Sequence, residues 1–113
     1  MRRILLLLLS LAACSKGPQA DLPYISQARS LAAEWALVNE QASAGKLTQT
    51  YVETMRKELR QELDTSGKAL SQPHSAYARE IDALLKQPGD ASPADLREHA
   101  RALKTIEDSL ESA

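Results

Sequence analysis

The chain has 113 residues, a formal net charge of −1 at neutral pH, one cysteine and no phenylalanine. That length suits one small domain, and a near-balanced, slightly acidic chain lacks the basic face a nucleic-acid binder needs. A lone cysteine excludes an internal disulfide framework.

The chain opens "MRRILLLLLSLAACSKG". From Ile4 to Ala13 there is no charge, and as a helix this run of about ten residues would be about 15 Å long, half of the roughly 30 Å of a bilayer core. Lys16 and Gly17 then close it. It is too short to span. Its parts instead follow the order of an export signal: Arg2 and Arg3 as a positive start, Ile4 to Leu9 as an apolar centre, and Ala12 and Ala13 as the small residues before a cut. Leu11-Ala12-Ala13-Cys14, with Ser15 after it, resembles the lipobox of bacterial lipoproteins. The resemblance covers residues 1 to 15. It implies that Cys14 receives a diacylglyceryl thioether, that the signal peptide 1–13 is removed, and that the new amino terminus is acylated. It also implies a membrane partner reached through this lipid. Ser15, in place of the aspartate that retains such proteins at the inner membrane, implies the outer membrane facing the periplasm in a Gram-negative host. Without Arg2 and Arg3, twelve basic side chains face fifteen acidic ones, a balance of about three negative charges.

Residues 14–23 read as a lipidated tether. "SKGPQADLP" has no periodicity and carries Gly17, Pro18 and Pro23; fully extended, it reaches at most about 30 Å. The remaining residues, 24–113, read as an all-α domain, a small antiparallel bundle of about four helices.

In the first helix Ile25, Ala28, Leu31, Ala32, Trp35, Val38 and Ala42 recur at steps of three and four. It begins around Pro23, which the first turn accepts, and Gly45 is a natural stop. The second starts with Thr48 as N-cap and carries Val52, Met55, Leu59, Leu63, Ser66 and Leu70, running through Gly67 with a bend there. Glu53 with Lys57, and Arg60 with Asp64, are spaced for pairing on its outer face. Pro73 breaks the chain. The third helix presents Tyr77, Ile81, Leu84 and Leu85, pairs Asp82 with Lys86, and ends at Pro88-Gly89. The fourth has Ser92 as N-cap, Pro93 at its first position and Asp95 in its first turn, with Leu96, Ala100, Leu103, Ile106 and Leu110 as its stripe. Glu107, Asp108 and Glu111 crowd its C-terminal end, where the helix dipole disfavours acids, so the last turn is expected to fray. No alternating strand pattern competes with these helices.

The chemistry-bearing residues do not converge. No phosphate loop, CxxC pair or nucleophile elbow is present. Asp95 and His99, four apart, are half of a metal site at most, and they are read instead as a solvent-facing histidine beside an N-terminal acid. No catalytic residue, metal or cofactor is therefore assigned. Arg56, Lys57 and Arg60 form a basic cluster that Glu53, Glu58, Glu62 and Asp64 offset. Trp35, the single tryptophan, is read as core, with the anchor of a partner contact as the alternative. These readings favour a lipid-anchored structural or adaptor protein that engages another envelope protein through a helix face. The rivals are a small ligand-binding or enzymatic periplasmic domain, which needs a concave pocket, and a membrane-perturbing lipoprotein, which needs cationic amphipathic helices.

Overall fold

A computed structural model describes residues 17–113. The signal segment, the lipobox residues Leu11, Ala12 and Ala13, and Cys14 lie outside the described residues. Within them the chain is all-α: a 3-10 turn, Gly17–Asp21, and four helices, α1 Leu22–Ser43, α2 Gln49–Lys68, α3 Ala76–Leu85 and α4 Pro93–Glu111. They pack as a small helical bundle.

Each boundary has a local cause. The hydroxyls of Thr48, Ser75 and Ser92 accept from the backbone N–H three residues on, at 3.1 to 3.2 Å, and so cap α2, α3 and α4. Gly45 follows the end of α1 at φ +71°, a left-handed conformation that glycine adopts without steric cost. α2 does pass through Gly67, but it stops one residue later at Lys68. A Cβ at Gly67 would lie 3.3 Å from Cγ2 of Ile81, so the missing side chain lets α3 approach α2 closely. Leu70 lies beyond the helix and still packs against the core.

α1 is the spine. It packs along α2 and α4, while the shorter α3 bridges those two. Burial on two sides requires a wider apolar arc than one stripe, and α1 buries Ala36 and Asn39 in addition to Ile25, Ala28, Leu31, Ala32, Trp35 and Val38. Ala28, Ala32 and Ala36, four apart and fully buried, form a ridge of small side chains against which neighbouring helices can close. Leu59 and Leu63 from α2, Ile81 and Leu84 from α3, and Leu96 and Leu103 from α4 complete the core.

Cross-links at matched heights give the helix directions. Arg29 near the start of α1 reaches Glu107 near the end of α4 at 2.7 Å, and Glu40 near the end of α1 meets Arg97 near the start of α4 at 3.1 Å. The two helices are antiparallel. α1 and α2 are antiparallel as well, since Asp21 at the head of α1 binds the backbone just past the tail of α2.

Two expectations change. The segment read as a tether enters the fold at Gly17: its turn is tied to α4 by Gln19, which donates to the Leu110 carbonyl at 3.5 Å, and Asp21 is buried. Asp21 occupies the N-cap position of α1 but does not cap it. Its carboxylate instead accepts from the N–H of Ser71 at 2.8 Å, the N–H of Gln72 at 3.2 Å and the hydroxyl of Tyr77 at 2.7 Å. The end of α4 stays helical to Glu111, because Glu107 turns inward to Arg29 and so becomes a tertiary tie rather than a loose acid at the helix end.

Truncation of Leu59 or Leu103 to alanine, both about fully buried, is expected to cost about 2 to 5 kcal/mol each, read from urea unfolding followed by circular dichroism. A second prediction follows from Tyr77. Its burial, and next the hydrogen bond its hydroxyl donates to Asp21, push the phenol up to about 12. The unfolded phenol ionises near 10, so this stabilisation is complete below about pH 10 and is lost as pH rises through about 12. Urea midpoints at stepped alkaline pH should fall across that window in the wild type, and Tyr77→Phe should remove this part of the slope. An identical alkaline slope in the variant would contradict the assignment.

Candidate functional site

The residues singled out in the sequence fall into separate places. Cys14 and the lipobox lie outside the described residues, and their nearest described neighbour is the Gly17–Asp21 turn. Trp35 is fully buried at the centre of α1. The partner-contact alternative for it does not fit this placement, because no ring surface is left for a partner to cover.

Trp35 belongs instead to a polar clamp on the connection between α3 and α4. Its indole N–H donates to the Gly89 carbonyl at 2.9 Å. Asn39, one turn along α1, donates to the same carbonyl at 3.0 Å and to that of Ala91 at 2.7 Å. The side-chain oxygen of Asn39 accepts from Nε of Arg56 at 2.9 Å, which brings α2 into the network. Arg60 lies 5.6 Å from the centre of the Trp35 ring, within cation–π range, and donates to the Leu85 carbonyl at 3.2 Å. A loop that passes over a core must satisfy its carbonyls, and α1 supplies the donors here. Arg56 and Arg60 are thus half-buried, and the pairing of Arg60 with Asp64 expected from their spacing does not form. Asp64 pairs with Lys68 at 2.8 Å. Glu53 and Lys57 likewise form no ion pair, whereas Asp82 and Lys86 do, at 2.8 Å.

His99 pairs through Nδ1 with the Glu80 carboxylate of α3. Its Nε2 lies 3.4 Å from the amide nitrogen of Gln87. With Gln87 donating, the ring proton sits on Nδ1, toward Glu80. His99 is therefore a helix-to-helix tie, neither a solvent-facing residue nor the partner of Asp95 in a half-site. The two do line one open depression of about 380 Å³ with Glu80, Gln87, Glu98 and Ala102. Among the described residues no three His, Cys, Asp or Glu side chains are grouped to hold a metal ion. His74 is exposed in the α2–α3 connection, where its carbonyl accepts from Arg79 at 2.7 Å.

Asn39, Asp21 and Glu107 were missed by sequence reasoning, yet two carried a signal. Asn39 is four residues past Trp35 and Glu107 four past Leu103, so each is a polar residue in register with a buried stripe. Asp21 carried none, because its partners are about fifty residues away. Compared with models of protein families, with curated proteins and with solved structures, the chain matches none.

Asn39→Ala removes two donors from buried carbonyls and the acceptor of Arg56, with an expected cost of about 2 to 4 kcal/mol in urea unfolding. In the same experiment the emission of the single tryptophan of the wild type should be blue-shifted and resist aqueous quenchers until the chain unfolds. Red, fully quenchable emission from the folded chain would contradict the burial of Trp35.

Proposed function

We propose that this chain is a membrane-anchored bacterial lipoprotein, held by lipid on Cys14, with a structural or adaptor role. The observation that carries this reading is the register of residues 1 to 15: positive start, apolar run too short to span, small residues, then the only cysteine. Among the described residues no helix is long and apolar enough to cross a membrane. Stable attachment then requires acyl chains, and two or more hold where one is marginal. By the same resemblance Ser15 directs the protein to the outer membrane, facing the periplasm of a Gram-negative host.

The folded part supports an adaptor better than an enzyme. His99 and the half-buried Arg56 and Arg60 serve as ties between helices and loops. Its function then lies in what its surface binds, and the partner is another envelope protein met by a helix face. Only Ser15 and Lys16 separate Cys14 from the Gly17 turn, so the leash is at most about 11 Å. The domain would be held against the lipid surface by its Gly17 end, with the Gly45 and Gly89 turns pointing away.

Expression of the full chain with an alkyne fatty acid tests this. The wild type should incorporate the label, shorten by the signal peptide and stay with membranes through a salt wash. Cys14→Ser should lose the label and accumulate as precursor. A Cys14→Ser chain that is still cut, together with a wild type free of acyl mass, would overturn the reading.

A further inference from the structure

Five of the eleven lysines and arginines among the described residues have a carboxylate at ion-pairing distance, and of the six that do not, Lys46, Arg79 and Arg101 lie singly on separate elements. Arg29 has Glu107, Lys68 has Asp64, Lys86 has Asp82, Arg97 has Glu40 and Lys104 has Asp108. Arg56, Lys57 and Arg60 have none among the described residues. Their neighbours on α2 offset them only in part: Asp64 is committed to Lys68, Glu58 and Glu62 do not line the groove the cations share, and Glu53 lines one end of it without an ion pair to any of the three. Like charges four apart on a helix repel, and neither Arg56 nor Arg60 has a carboxylate at ion-pairing distance among the described residues.

The two arginines are also held in place. Arg56 is fixed through Nε by Asn39, itself bonded to two carbonyls, and Arg60 by the Leu85 carbonyl and the Trp35 ring. Each thereby uses one of five N–H donors, on a neutral acceptor. The other donors have no acceptor among the described residues, while both groups remain partly exposed and Lys57 is exposed. The three cations line an open surface groove of about 520 Å³, flanked by Glu53 at one end and Asp64 at the other. A guanidinium held in advance loses little freedom on binding and matches a carboxylate in a two-point contact.

We propose that the Arg56–Lys57–Arg60 face of α2 binds carboxylates, and that its occupant is an acidic helical segment of a partner protein with Asp or Glu four residues apart. Arg56 and Arg60 have that same spacing, which places the rows in register. The flanking Glu53 and Asp64 disfavour a continuous sheet of anionic headgroups but leave room for a short row of carboxylates between them. Arg60 lies eight residues from the end of α2 at Lys68, about 12 Å along the axis, away from the end that would carry the lipid. The inference rests on the adaptor half of the proposed function and not on the anchor.

The test titrates the full chain, in a non-ionic detergent, with an alanine-based helical peptide bearing glutamates four apart. Trp35 emission reports directly, because Arg60 stacks on its ring. A saturable change is expected, weakened at high ionic strength, and absent with the glutamine version of the peptide. Lys57→Glu, at an exposed site with no hydrogen bond or ion pair among the described residues, should leave the melting temperature unchanged and weaken binding by about tenfold or more. Lys46→Glu, in the turn before α2, should bind as the wild type does. Binding undiminished in Lys57→Glu, or equal for the glutamine peptide, would overturn the proposal. So would binding of inorganic phosphate or phosphatidylglycerol vesicles in place of the peptide. Fatty-acid labelling is unaffected by any of these outcomes, so a failure here is distinct from a failure of the anchor.

Discussion

The Gly89 carbonyl accepts from both Trp35 and Asn39, and the bundle depends on that junction. The connection between α3 and α4 must cross the end of a core built on α1. Peptide groups brought there lose water and cost free energy unless protein donors replace it. By placing an indole and an amide one turn apart on the same face, α1 supplies three hydrogen bonds to two carbonyls. Arg56 and Arg60 then close over the same junction from α2. Three helices and a loop are held by this polar cluster at one end of the core.

The opposite end of α1 is closed by a different chemistry with the same logic. Asp21 satisfies two backbone N–H groups after α2 and the hydroxyl of Tyr77 at the start of α3. A buried carboxylate is tolerable only with such a full complement of donors. Both ends of α1 are thus bonded to the connections before and after α3. This is how a ten-residue helix, too short to be stable alone, is held in register. Glu80 with His99 adds a side-chain tie from α3 to α4.

These ties redistribute the charge. Residues that look mutually neutralising along one helix are drawn to partners on other elements, as Arg60 is to Leu85 and Glu107 is to Arg29. Of the six lysines and arginines without a carboxylate partner among the described residues, three share one side of α2. A chain of nearly neutral total charge thereby sets three cations side by side on α2, with Glu53 and Asp64 at the ends of the row.

The local rules were legible in advance. Apolar spacing identified the four helices, and the Thr48, Ser92, Gly45 and Pro73 signals placed most of their ends, because caps and breaks depend on neighbours within a few residues. The reading proposed for residues 1 to 15 rests on local order alone, and those residues lie outside the described ones. Tertiary structure alone decided what happens to the polar groups inside. Nothing near Asp21 announces Tyr77, and spacing alone pairs Arg60 with Asp64 rather than with a carbonyl of another element. Such pairings depend on which surfaces lose water together, and that is set by how helices far apart in sequence come to pack around α1.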